Sequence, residues 1–122
     1  MNWIEAVGGG AVIVLVYNFL RGGRQIPPET ASEYLKAGAL VIDVRTRGEF
    51  NAGHLSSAAN IPLDEIEAVV PQRVKDKNRV LLLHCQSGAR SGMAKGKLSR
   101  MGYANVHNLG SYARATKIVK AG

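Results

Sequence analysis

The 122-residue chain has a single cysteine, Cys85. That excludes an intramolecular disulfide and a cysteine-based metal cluster. His54, His84 and His107 show no close metal-ligand spacing, so the reading includes no metal and no cofactor. Acidic residues are missing from the C-terminal part. None follows Asp76, whereas Lys77, Arg79, Arg90, Lys95, Lys97, Arg100, Arg114, Lys117 and Lys120 do. Aromatics are scarce there too, with Tyr103 and Tyr112 alone. Nucleic-acid binding asks for interleaved aromatics or a known module, and neither is found, so no nucleic acid is expected as partner. The net charge of +7 instead predicts a positive field around any site in this half, suited to a small anionic substrate. A solvated basic face is the plain alternative.

What is present centres on "HCQSGARS", His84 to Ser91. The run before it, "RVLLLH" from Arg79, suits a buried strand. After it, Met93, Ala94, Leu98 and Met101 have helical spacing, with a stop at Gly102. Strand, tight loop and helix follow one another. A loop entering a helix N-terminus turns backbone N–H groups inward, which attracts anions and lowers a thiol pKa. Arg90 adds a fixed positive charge. Cys85 is therefore read as a thiolate nucleophile rather than a small buried hydrophobe. The cysteine phosphatases carry one more residue between Cys and Arg than the four found here, Gln86, Ser87, Gly88 and Ala89.

Around this loop, strands alternate with helices. "TASEYLKAG" has capping-box spacing at Thr30 and Glu33 and a stop at Gly38. "ALVIDV" (Ala39 to Val44) is a buried strand, and Thr46 and Glu49 repeat the capping-box spacing. "AANIP" is a short strand ended by Pro62, and "LDEIEAVVPQRV" a helix broken or kinked near Pro71. "NVHNL" (Asn105 to Leu109) is the last strand and "SYARATKIVKAG" the last helix. The pattern predicts an α/β fold, a central parallel sheet flanked by helices, plus an N-terminal helix. Ligands of such sheets bind at the carboxyl ends of strands, where Cys85 falls. Asp43 and Arg45 are expected to form a structural ion pair or loop cap, Glu49 a helix cap, and His54 a structural turn. His84 is expected to bond to backbone and not to act as a base.

The N-terminal segment differs in kind. "WIEAVGGGAVIVLVYNFL" (Trp3 to Leu20) carries one charge, Glu5. As a helix it spans ~27 Å, close to the ~30 Å bilayer core. Arg21 and Arg24 follow it, which by the positive-inside rule puts the remainder in the cytoplasm. Residues 1–24 are read as a membrane anchor working through residues 3–20, "RGGRQIPP" (Arg21 to Pro28) as a linker, and residues 25–122 as the catalytic domain. A helix belonging to the core of the soluble domain is the alternative.

"VIDVRTRGEFNAGHLSSAANIP" resembles the rhodanese-domain pattern D-V-R, E-F, G-H, A, N-I-P, and "CQSGARS" resembles its active loop, C-x-x-G-x-R-S. The resemblance covers roughly Pro27 to Lys120. It departs at "GSYARATK", where family members often carry Gly-Gly and a Trp. The resemblance implies a sulfurtransferase of the thiosulfate sulfurtransferase type. Cys85 would take the outer sulfur of a small anionic donor such as thiosulfate and hold it as a persulfide. It would then pass that sulfur to cyanide, a thiol or a protein acceptor. Backbone N–H groups from Gln86 to Arg90 would stabilise the persulfide, and Arg90 would hold the donor. The shorter loop is then a cradle for one sulfur rather than a phosphoryl group. The competing readings are a cysteine-dependent phosphatase or arsenate reductase on the same fold, and a non-catalytic membrane-tethered binding module.

Overall fold

The structure is a computed structural model and is described over residues 24–121. The expected N-terminal helix and its membrane role lie outside the described residues. Among those described, no helix is long and apolar enough to cross a membrane.

Helix α1 (Pro28–Lys36) begins on a proline, and the capping box expected at Thr30 and Glu33 is not formed. Pro28 suits the first helical position because its fixed φ matches a helix and its missing N–H has no partner there anyway. Thr30 therefore lies inside the helix, and Gly38, at φ +94°, follows its end. Strand β1 (Leu40–Asp43) leads to α2 (Arg47–Ala52), whose capping box at Thr46 and Glu49 forms in full. Strand β2 (Ala58–Asn60) is followed by a 3₁₀ turn (Leu63–Glu65) and α3 (Ile66–Arg73). The expected break near Pro71 does not occur there. The helix runs to Arg73, and Val74 N–H still reaches Val70 O at 2.7 Å. Strand β3 (Leu81–His84), helix α4 (Ala89–Arg100), strand β4 (Val106–Gly110) and helix α5 (Tyr112–Ala121) complete the chain.

The four strands are parallel, in the order β2-β1-β3-β4. β3 is buried along its whole length, as a central parallel strand should be. Its side chains alternate between two cores. Leu81, Leu83 and Cys85 join Ile66, Val70, Ala94 and Leu98 on one face. Leu82 joins Val41, Ala31, Leu109, Ala115 and Ile118 on the other. The connections leave β1 on one side for β2 and β3 on the other for β4, so the switch point lies between β1 and β3. Asp43 is level with His84 in the register, which brings the carboxyl ends of both strands to that crevice.

Two readings of detail change. The end of the presumed linker belongs to the fold, since Gln25 pairs with Asn108, Ile26 N–H bonds to Asn108 O at 2.9 Å, and Ile26 is buried. On α4, Met93 is 50% exposed rather than on the inner face. Ser91, Ala94 and Leu98 face the core at i, i+3 and i+7, and Met93 is turned about 100° away from Ala94.

Candidate active site

Cys85 follows the last residue of β3, and its N–H still bonds to Gly110 O at 3.2 Å. Gln86 and Ser87 are exposed, Gly88 is buried, and α4 starts at Ala89. The helix thus begins two residues earlier than its apolar spacing indicated, and Arg90 lies in its first turn. No acidic residue sits in that turn to cancel the helix-terminal positive charge. Gly88 makes the reversal at φ +100°, where a side chain is strained. A Cβ there would also lie 2.9 Å from Gln25 Nε2.

The Cys85 side chain has no solvent exposure. Its sulfur accepts the Gly88 N–H at 3.0 Å and lies 3.5 Å from the Ser91 hydroxyl. Burial pushes the thiol pKa up. The Ser91 hydroxyl and the N–H groups of Ser91, Gly88 and Ser87 outweigh that and leave it below the ordinary value. Ser91 has one hydroxyl proton and a closer acceptor, Asn108 Oδ1 at 2.7 Å. The backbone N–H groups are therefore the firmer donors to sulfur. Asn108, buried on β4, also accepts from Gly110 N–H at 2.9 Å and donates to Gly88 O at 3.1 Å. It ties the loop, the helix start and β4 together.

Residues before Asp76 supply the carboxylates that the chain after it lacks. Arg90 Nη1 and Nη2 meet Glu49 Oε1 and Oε2 at 2.6 and 2.9 Å, a two-pronged pair, each side chain one-third exposed. The Arg90 guanidinium holds the Glu49 carboxyl at a pKa of about 2. Asp43 and Arg45 form the expected ion pair, fully buried, with Nε–Oδ1 at 3.0 Å and Nη2–Oδ2 at 2.8 Å. Arg45 also donates to Gly53 O at 2.8 Å and to Gln86 Oε1 at 3.4 Å, and lies over the Tyr112 ring at 4.3 Å. It braces the loop from beneath. Lys97 pairs with Glu67 at 3.1 Å. Of the basic residues that follow Asp76, Arg90 and Lys97 thus each meet a carboxylate.

His84 is buried, with Nδ1 3.3 Å from Cys85 O and Nε2 3.7 Å from Asp43 Oδ2. Burial pushes its pKa down, so it is neutral near pH 7. His54 stacks on Phe50 and bonds to Phe50 O through Nδ1 at 2.7 Å. Sequence reasoning missed Ser91, Asn108, Gln25 and the reach of Glu49 to Arg90. The signal for Ser91 was a polar residue at helical spacing with Ala94 and Leu98. For Asn108 it was a polar residue inside an apolar strand.

This site, a lone cysteine under a short N–H-lined loop at the switch point of a parallel sheet, defines a class. The chain belongs to the rhodanese-like domain family, which matches residues 27–114. Among curated proteins it is 42% identical over 69 residues to thiosulfate sulfurtransferase PspE of Escherichia coli, a match over 57% of this chain. The match spans 66% of PspE, just under two thirds of its length. Among solved structures, a rhodanese with anions from E. coli superposes with a TM-score of 0.61 at 38% identity, covering 63% of this chain and 91% of that one. The human single-domain sulfurtransferase TSTD1 superposes with a TM-score of 0.63 at 27% identity, covering 76% and 95%.

Proposed function

We propose that the protein is a sulfurtransferase that moves a sulfane sulfur through a persulfide on Cys85. The Cys85 thiolate attacks the outer sulfur of a small anionic donor such as thiosulfate. A Cys85 S–S bond forms, the donor S–S bond breaks, and its electron pair leaves with sulfite. A nucleophile then attacks the outer sulfur of the persulfide and returns the thiolate. Cyanide, a low-molecular-weight thiol or a protein thiol can serve as acceptor. The loop N–H groups from Gln86 to Arg90 stabilise the terminal sulfur, and Arg90 is the cation for the donor.

The observation that carries the reading is the 3.0 Å bond from Gly88 N–H to Cys85 Sγ, in a loop whose donors lower the thiol pKa. Relatives named thiosulfate sulfurtransferase support sulfur transfer as the activity. The loop of four residues before Arg90 suits one sulfur better than a phosphoryl group with its several oxygens. The test compares thiocyanate formation from thiosulfate and cyanide with hydrolysis of an aryl phosphate. The reading expects turnover in the first assay alone. Hydrolysis without sulfur transfer would make the protein a phosphatase.

We further propose, from the sequence alone, that residues 3–20 tether the domain to a membrane with its site in the cytoplasm. An apolar anchor resists high-salt extraction, because burial in lipid is not screened. Full-length protein found in the soluble fraction without detergent would end this proposal.

A further inference from the structure

Both arginines at the site already hold a carboxylate. Arg45 is committed to Asp43 in the interior, and Arg90 meets Glu49 with two hydrogen bonds at the rim. The groove beside Arg90, about 310 Å³, is lined also by Thr46, Leu63, Asp64 and Lys97. Lys97 is itself paired with Glu67. With a pKa of about 2, Glu49 stays ionised at any working pH. A donor that needs the Arg90 guanidinium must therefore displace a resident carboxylate or share the cation with it. The cost of sharing rises with the donor's own negative charge, since like charges at contact range repel.

From this we propose that Glu49 sets the charge class of the sulfur donor. It is a positioning residue that acts through Arg90 and biases the site against dianions. The favoured donors carry their sulfane sulfur with one negative charge, as organic thiosulfonates and thiol persulfides do. The proposal rests on the sulfurtransferase reading of Cys85. The chemistry balances for a thiosulfonate, R–SO₂–S⁻. The Cys85 thiolate attacks the outer sulfur, the donor S–S bond breaks, and the electron pair leaves with the sulfinate R–SO₂⁻. Cys85 is left as the persulfide anion, with no net oxidation and no co-reactant.

Methanethiosulfonate and thiosulfate test the idea, because they differ by a methyl for an oxygen and by one charge. Glu49→Gln removes the charge but keeps an N3 side chain able to complete the Thr46 capping box. The variant should gain kcat/KM for thiosulfate by about tenfold, the scale of one charge-assisted hydrogen bond. Methanethiosulfonate should change far less, so the ratio between donors moves toward the dianion. The gain should vanish in Glu49→Gln/Arg90→Gln, because the released guanidinium is its source. An equal change for both donors, or a loss for thiosulfate, would overturn the proposal and leave Glu49 a helix cap and brace. A Glu49→Gln protein whose melting temperature collapses would also contradict it, since the capping role was expected to survive. Sulfur transfer from neither donor in the unaltered protein would instead defeat the sulfurtransferase reading itself.

Discussion

The Ser91 hydroxyl on α4 sits 2.7 Å from Asn108 Oδ1 on β4, closer than its 3.5 Å separation from the Cys85 sulfur. A hydroxyl has one proton to donate. With the thiol protonated, the asparagine is the better acceptor. When the thiolate forms, the same proton can turn to sulfur, and charge makes that bond the stronger one.

Ser91→Ala removes this adjustable donor and leaves the backbone N–H groups. The thiol pKa should rise, because a bond favouring the charged form is lost. The pH dependence of Cys85 alkylation reads it directly, with the midpoint moving up. A midpoint that stays in place would assign the low thiol pKa to backbone donors alone.

Gly88→Ala tests the loop. At φ +100° a Cβ is strained, by about 1–2 kcal/mol, and this one would also press on Gln25 at 2.9 Å. Stability should fall by at least that amount in denaturant unfolding, and sulfur transfer should fall further than stability. Wild-type activity in a stable variant would remove Gly88 from the cradle.

Asp43→Ala leaves the Arg45 guanidinium buried without its carboxylate. Breaking a buried ion pair by removing one partner costs about 3–5 kcal/mol. Thermal unfolding should show a large loss, and the loop above Arg45 should become more labile to proteolysis at Gln86 and Ser87. A loss below about 1 kcal/mol would show that the pair contributes little.

Much of this was legible where the determinants are local. The β3–loop–α4 unit follows from an apolar run, small loop residues and helical spacing within one stretch. The Thr46–Glu49 capping box reads directly because its partners are three residues apart. The same spacing at Thr30 and Glu33 misled, since Pro27-Pro28 starts α1 earlier. The long-range partners were not legible. Glu49 meets Arg90 across 41 positions, and Asn108 meets Ser91 across 17. Which side chains share a crevice depends on strand order and register, and neither is written in any one segment. The sequence therefore suggested a basic site, whereas folding brings Glu49 against Arg90 and Glu67 against Lys97.

Glu49 should also write itself into the acid limb of stability. Its folded pKa of about 2 lies below the ~4.3 of an unfolded glutamate. A depressed carboxyl contributes stability that is present above the unfolded value and lost as pH falls through the folded one. The stability difference between the unaltered protein and Glu49→Gln should be constant from pH 7 to about 5. It should shrink steadily below pH ~4.3 toward pH 2, with solvent screening keeping it modest because the pair is one-third exposed. A difference that does not vary with pH would mean that the Arg90 contact adds nothing to folding.

Cys85, the one cysteine of the chain, is the proposed carrier of the transferred sulfur. Intact-protein mass spectrometry after incubation with thiosulfate measures this most directly. The mass should rise by one sulfur atom, return to its starting value on adding cyanide, and not change at all in Cys85→Ser. An unchanged mass in the unaltered protein, or sulfur turnover persisting in Cys85→Ser, would contradict the account.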